Sequence, residues 1–458
     1  MSGPRVAAVI GVVLSGCGPG HVWRDLSPDH RTEVEIVQEQ GQSCIAIGKI
    51  LYGCYDGLAV HGVTFSDDGS RVAYPVLRGS HWKVVLDGEE GPAWDGVNAL
   101  TFSPGGERFV YAAVKDGVWH VVVDQTPGTS FDSLLSDSFA FDRSGRRFAY
   151  AGQRGDSVYA VIDGLITSGY EGIGTIRFGR NGEHVAFLAR RGGGSQVVVN
   201  GVHHRLYEAI SDLVFGPAGK LAYAVRRDAQ WWVAVGDEWF GPHVSVRHLA
   251  FRPVDGKVSY ITGDGAAERV VFGGVAGPGY RSVDPPVFSQ SGHLWGYVAR
   301  DSTGSSVVLN GTPSISEEWV GNLAINPDGS RFAYLVRRGE QTFVVDDRKT
   351  TAFDLALDGT LVFAGDGESW ACLAGIRDGR KLFVTVDGIE TTRPFDWSEF
   401  GRLARRQVMT GSIGFSKNDQ LQSWVLAEAN LLLSEKTGGS DTAPQLPAFP
   451  QFPPRTEV

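Results

Sequence analysis

The side chains able to do chemistry in this chain are scattered, and few stand at a spacing that chemistry requires. A serine nucleophile needs a strained Gly-x-Ser-x-Gly turn to expose its hydroxyl; Gly411-Ser412-Ile413-Gly414 has the wrong spacing for one. Zinc needs His, Cys or carboxylates at set intervals. The neighbouring His203 and His204 instead read as a solvated or partly packed pair. Asp67-Asp68-Gly69 and Asn326-Pro327-Asp328-Gly329 lack the spaced oxygens and distal glutamate of a calcium loop, and turn formation accounts for them. Asn310-Gly311-Thr312 matches a glycosylation sequon but carries little weight in an exported bacterial chain. No catalytic residue, metal or cofactor is therefore assigned, and the expectation is a protein that is not an enzyme; the alternative is a lyase or hydrolase, or a small-ligand sensor, with its site in a central channel.

Cysteine chemistry is more specific. Arg5 precedes the apolar run Val6 to Leu14, and Leu14-Ser15-Gly16-Cys17 follows at once. Nine apolar residues are too few to span a bilayer about 30 Å thick, so the run reads as a signal-peptide core. Leu14 to Cys17 resembles the bacterial lipobox, which implies cleavage before Cys17 and acylation of its thiol and new amine. Several acyl chains anchor stably where one would be marginal. Gly18 resembles the next residue of lipoproteins sent to the outer membrane, facing the periplasm or the cell surface. Cys44 and Cys54 lie close in sequence, and export permits a disulfide between them. Cys372 falls where other segments carry a buried aromatic and is expected to be a reduced core residue.

The elements that position these residues follow from an internal repeat. Val63-Thr64-Phe65-Ser66-Asp67-Asp68-Gly69 aligns with Leu100-Thr101-Phe102-Ser103-Pro104-Gly105-Gly106 and with Leu323-Ala324-Ile325-Asn326-Pro327-Asp328-Gly329. The anchoring apolar residue recurs at Phe65, Phe102, Phe141, Phe178, Phe215, Phe251, Phe288, Ile325 and Phe363, about 37 residues apart. Each unit offers an apolar inner strand A, a Gly-bearing turn, strand B, a charged turn, a β-branched strand C often ending in Asp-Gly, and a short outer strand D. Four strands per unit describe a β-propeller blade. A chain of 458 residues exceeds one conventional core, and its 61 glycines fit many tight turns.

The expected architecture is all-β: a propeller of nine to ten four-stranded blades over residues 44–436, with an eight-bladed ring plus a partial unit as the alternative. Residues 1–16 are the signal peptide, 17–43 a polar lipid-anchored tether, and 437–458, with Pro444, Pro447, Pro450, Pro453 and Pro454, a disordered or polyproline tail. Cys44 to Asp56 reads as an orphan C–D pair that Ile413 to Trp424, a worn A–B pair, would complete into a closing blade.

The Phe-Ser-Pro-Asp-Gly type turn before an apolar-aromatic strand resembles TolB-type and WD-like propeller repeats of exported bacterial proteins, over roughly residues 44–433. That resemblance implies the fold and a protein-binding role; it supplies no catalytic residues. TolB itself carries an additional α/β domain ahead of its propeller, and residues 17–44 are too few to supply one.

Within this frame the charges sort by turn. Arg78, Lys115, Arg154, Arg190, Arg191, Arg226, Arg227, Arg337 and Arg338 fall at B–C turns, whereas Asp67, Asp68, Asp87, Glu89, Glu90, Asp124, Asp163, Asp328, Asp346 and Asp387 fall at A–B or C–D turns. The expectation is one basic docking face for an acidic envelope protein or anionic polymer, and one acidic face. A net charge of −10 argues against nucleic acid as the partner, and the membrane would be met through the lipid alone.

Overall fold

The computed structural model describes residues 20–27, 32–59, 62–135, 138–364, 367–376, 381–390 and 395–396. Among them are ten antiparallel sheets, numbered here 1 to 10 in chain order: residues 20–55, 57–90, 96–131, 133–166, 172–203, 209–243, 245–276, 282–313, 319–353 and 355–396. Strands run A-B-C-D across each sheet in sequence order. In sheets 2, 4, 8 and 10, strand A is split into two short pieces that both pair with strand B.

Each sheet packs its face on the next. The cluster of Ala73 and Val84 from sheet 2 with Trp94, Phe109, Tyr111, Ala113 and Val122 from sheet 3 is typical. Alternation along strands B and C buries one side chain set toward each neighbouring sheet, and each fully buried Val or Phe contributes about 1.5–3 kcal/mol. Successive A strands lie beside one another, so the A strands form the inner edge and the D strands the outer. Four-stranded sheets meandering outward and stacked in chain order are propeller blades.

Local chemistry explains the irregularities. Pro75 sits inside strand B of sheet 2 (Val72–Arg78), where its missing N–H would break a ladder. Its carbonyl accepts from Ala59 N, so the absent donor also faces strand A, where that strand is interrupted. Asp87, Asp124 and Asp163 close the C–D turns with φ of 50°, 47° and 51°, a left-handed conformation that aspartate and asparagine tolerate better than most residues.

One boundary is corrected. Residues 20–39 are not tether: Gly20–Leu26 and Glu33–Glu39 are strands A and B of sheet 1, and Cys44 to Asp56 belongs to its C and D strands. Ser27 N donates to Thr32 O at 2.8 Å, and Thr32 N donates to the Ser27 hydroxyl at 2.9 Å. Ser66 and Arg71 form the same pair of bonds at 3.0 and 3.0 Å. Ser27 thus carries the bonds of the repeat's own turn, with leucine at position 26 in place of the anchor phenylalanine. No second segment is needed to complete this sheet. The signal peptide and Cys17, the Ile413 to Trp424 pair and the proline-rich tail lie outside the described residues.

Candidate functional site

Strand ends place the charged residues. At the A–B end, an arginine just before strand B staples its sheet to the next. Arg71 Nε donates to Asp87 Oδ2 at 2.8 Å, its Nη1 donates to the carbonyl of Gly106 at 2.9 Å, and its guanidinium lies 5.3 Å from the Phe102 ring centre in sheet 3. Arg147 repeats this with Asp163 at 2.9 Å, the Gly182 carbonyl at 2.6 Å and the Phe178 ring at 5.0 Å. Arg108 bridges Asp124 and the Arg146 carbonyl at 3.1 and 3.2 Å. Arg331, 4% exposed, reaches Asp347 at 3.0 Å, Asp346 at 3.7 Å, the Glu368 carbonyl and the Phe363 ring. The repeating phenylalanine is therefore a platform for the preceding sheet's cation, and these aspartates are engaged in the staple.

The B–C end carries the nine predicted basic residues, all exposed. They do not make a face of one sign. An acid at each of several D–A junctions binds the backbone N–H of the neighbouring B–C turn: Asp56 with Gly79, Asp95 with Asp116, Asp132 with Gly155, Glu171 with Gly192, Glu208 with Asp228 and Glu318 with Gly339. Arg78 pairs with Glu90 at 2.6 Å, Arg226 with Glu208 at 3.9 Å and Arg338 with Glu317 at 2.5 Å. Arg154, Arg227 and Arg337 stack on Phe131, Trp232 and Trp319. Lys115, Arg190 and Arg191 project without a described ion pair. The expected division into a basic and an acidic face is thus corrected, because turn capping places acids beside the basic tips and the staple places arginines beside the acidic ones.

Sheets 5 to 8 depart from the repeat. In sheet 5 His184 replaces the stapling arginine, stacking on Phe215 and bonding Asn200 at 3.0 Å. Sheets 6, 7 and 8 have Lys220, Lys257 and Leu294 there, and Gly236 and Gly273 replace the aspartate in sheets 6 and 7. Where the staple is missing, a cleft of roughly 420 Å³ opens among Arg177, Phe178, Arg180, Phe215, Pro217 and Phe251. Arg177 sits in strand A of sheet 5 (Gly172–Phe178). Desolvation by surrounding protein lowers its pKa, and its only described side-chain hydrogen bond, 3.4 Å long, goes to the carbonyl of Ile176.

The inner strands differ in the same sector. Asp212 and His248 occupy equivalent β-bulge positions in strand A of sheets 6 and 7, with φ of 50° and 56°. His248 N–H donates to the Asp212 carboxylate; burial nevertheless holds that carboxyl above the usual range, with the His248 charge and hydrogen bond opposing. Arg247 binds Glu268 at 2.6 Å and the Val283 carbonyl at 3.1 Å, and Arg300 grips Asp284 through two bonds. Corresponding positions in sheets 3 and 5 carry Ala99 and Thr175. Sequence reasoning passed over Arg177, Asp212 and His248; the recoverable signal was a charged residue at repeat positions held elsewhere by small ones.

Cys44 and Cys54 face each other across strands C and D of sheet 1 and are joined by a disulfide, with a Cα–Cα distance of 4.0 Å. They are also two of the three members of the one described group with metal-ligand proximity, together with Glu39, so their thiols are already consumed. Cys372 is fully buried and its thiol pKa is pushed up by desolvation. His203 meets Tyr170 at 3.4 Å and His204 packs edge-on against Tyr223, each serving an aromatic contact.

Comparison with protein-family profiles gives no match, and comparison with curated proteins gives none either. Among solved structures, a eukaryotic initiation factor aligns over 71% of this chain and 96% of its own at 10% identity, TM-score 0.42. The Dos1 propeller aligns over 59% and 88% at 12% identity, TM-score 0.33. TolB from Acinetobacter baumannii aligns over 62% and 75% at 11% identity, TM-score 0.26. At these values the likenesses carry no argument about function, and the propeller assignment stands on the sheet order and stacking described above.

Proposed function

We propose that the chain is an exported, lipid-anchored binding scaffold of the bacterial envelope, non-enzymatic, holding a protein or polymer partner through the sector of sheets 5 to 8. The observation that supports this reading is the interruption of the repeat. In sheets 2 to 4 the arginines before strand B are engaged in staples, whereas sheet 5 presents Arg177, without a described ion pair, beside a cleft. Lipidation at Cys17 is the remaining part of the proposal and rests on the lipobox resemblance.

The test is capture from envelope extracts with wild type, with Arg226, Arg227, Arg337 and Arg338 reversed to Glu, and with Lys220→Arg/Gly236→Asp. The rim reversal should leave the partner bound and the cleft variant should lose it. The opposite pattern would return the docking role to the B–C rim, and capture of nothing by wild type would remove the scaffold reading. Incorporation of labelled palmitate that survives Cys17→Ser would remove the lipid anchor.

A second reading, a lyase or hydrolase acting at the inner strands, is favoured by one observation: a carboxyl held above its usual range accepts the backbone N–H of His248, whose charge also reaches it. An activity abolished by both Asp212→Asn and His248→Ala, with folding intact, would replace the scaffold.

A further inference from the structure

We propose that the cleft at the A–B ends of sheets 5, 6 and 7 is a binding site for a carboxylate carried on an apolar body, with Arg177 holding the carboxylate. The inference rests on the scaffold reading and names the ligand chemistry of its cleft.

Three independent features converge on it. The first is repeat position. The residue just before the anchor is Thr64, Thr101, Ala140, Val214, Ala250, Val287, Ala324 and Val362 in the other anchored sheets, and arginine in sheet 5 alone. A strand-A side chain that needs only to fit is small here, so a long cation has no packing role that its eight counterparts share. The second is the lack of a counter-charge. No acid lines the cleft, and no carboxylate pairs with Arg177 or Arg180 among the described residues, in a chain whose net charge is −10. The third is the wall. Apart from its two arginines the lining is apolar, with Phe178, Phe215, Phe251 and Pro217 among it; Phe178 and Phe215 each carry the preceding sheet's Arg147 or His184 on one side, whereas Lys220 and Gly236 leave out the guanidinium and carboxylate that would otherwise lie over Phe251.

A planar guanidinium matches a carboxylate through two parallel bonds, and partial desolvation strengthens that pairing. The guanidiniums alone would also suit phosphate; the apolar wall is what favours a carboxylate on an apolar body. Its volume is of small-ligand size. The same chemistry occurs in a free arylalkanoic acid and at a peptide's C-terminus, where one aromatic side chain would lie against the phenylalanines.

Calorimetric titration of the purified chain decides between these sources and tests the site. The probes are 3-phenylpropionate, acetyl-Ala-Phe with a free C-terminus, the same peptide as its amide, and inorganic phosphate. The free acids should bind, and the amide should bind at least about tenfold more weakly, the size of effect expected for one charged contact. Arg177→Met should lose about tenfold or more, with Arg177→Lys intermediate. Peptide acid binding tenfold tighter than 3-phenylpropionate assigns a peptide C-terminus; equal binding assigns the free acid.

Lys220→Arg/Gly236→Asp restores the staple over Phe251 without touching Arg177 and should abolish binding, which keeps the test valid if Arg177→Met fails to fold. Absence of saturable binding by both acids at millimolar concentration, equal binding of amide and acid, or equally tight phosphate binding overturns the proposal. Partner capture that persists through such a result leaves the scaffold reading standing.

Discussion

Sheets 2 to 4 and sheets 6 to 8 are built from the same repeat and use their charges differently. In the first group an arginine, an aspartate and the next sheet's carbonyl close each junction at the A–B end, with the next sheet's phenylalanine under Arg71 and Arg147. In the second, lysine or leucine replaces the arginine and glycine or asparagine the aspartate, while the inner strands gain Asp212, Arg247, His248 and Asp284. A duplicated unit can lose a staple because the apolar clusters between sheets persist; Val235, Val246, Leu249 and Val258 still pack sheet 6 on sheet 7. Stability is thus carried redundantly, and the sector that gives up one layer of it gains exposed, chemically distinct side chains.

The strongest way to break this comparison is to remove a staple that is buried. Arg331→Met leaves Asp346, 8% exposed, without its cation, though Trp370 Nε1 still donates to it at 2.6 Å. Loss of about 3–5 kcal/mol is expected for an uncompensated buried charge. Chemical denaturation would measure it; a loss under 1 kcal/mol would show that the staple is ornamental even where it is driest. Next in size is sheet 1, which has the disulfide but lies outside both groups. Cys44→Ser/Cys54→Ser should cost roughly 2–3 kcal/mol in the loop-entropy account, read as a lowered denaturation midpoint under oxidising conditions and no change under reduction. Equal midpoints in both conditions would remove the bridge from the stability argument.

Building the missing staple sharpens the contrast. Gly236 has φ of 58°, close to the values of Asp87, Asp124 and Asp163 at the same position, and an added Cβ there meets nothing within 4 Å. Lys220→Arg/Gly236→Asp should therefore stabilise by about 1 kcal/mol, the net value of a charge-assisted pair that remains partly exposed. A destabilised product would mean that sheet 6 approaches sheet 7 in a way that the staple cannot bridge. Arg108→Ala, which breaks a half-exposed staple, should cost about 1 kcal/mol or less.

How much of this was legible in the sequence depended on what repeats. The anchors Phe65 through Phe363 showed the unit because a buried aromatic at fixed spacing has one dominant explanation. The stapling arginines stood in the same alignment but were not read, since Arg71 and Asp87 are partners across a sheet and only antiparallel register brings them together. The sorting of charges by turn was real along the chain and vanished in space, because D–A junction acids such as Asp56 and Asp132 share an end with the basic tips they cap. Sheet 1 was lost to a single substitution, leucine for phenylalanine at position 26, and to the polar alternation of Glu33–Glu39, which faces strand neighbours on both sides. Arg177 and Asp212 could have been found by asking which residue breaks each column of the repeat.

The smallest expected effect separates the two kinds of acid within the irregular sector itself. Arg252 and Lys257 backbone N–H hold Asp255 down to about 2, so it supplies stability above its unfolded pKa that is lost as pH falls through about 2. Asp212 runs the other way. Its folded pKa lies above the unfolded value, so its favourable contribution is complete below the unfolded pKa and disappears as pH rises through the folded one. Asp212→Asn keeps the left-handed backbone accessible and an acceptor for His248 N–H. Its stability relative to wild type should therefore climb with pH across the acid range and then level off, while Asp255→Asn should fall behind wild type over the same interval. A flat curve for Asp212→Asn would mean that Asp212 is solvated like any surface carboxylate, and a curve falling in parallel with that of Asp255→Asn would mean that its pKa is held down rather than up.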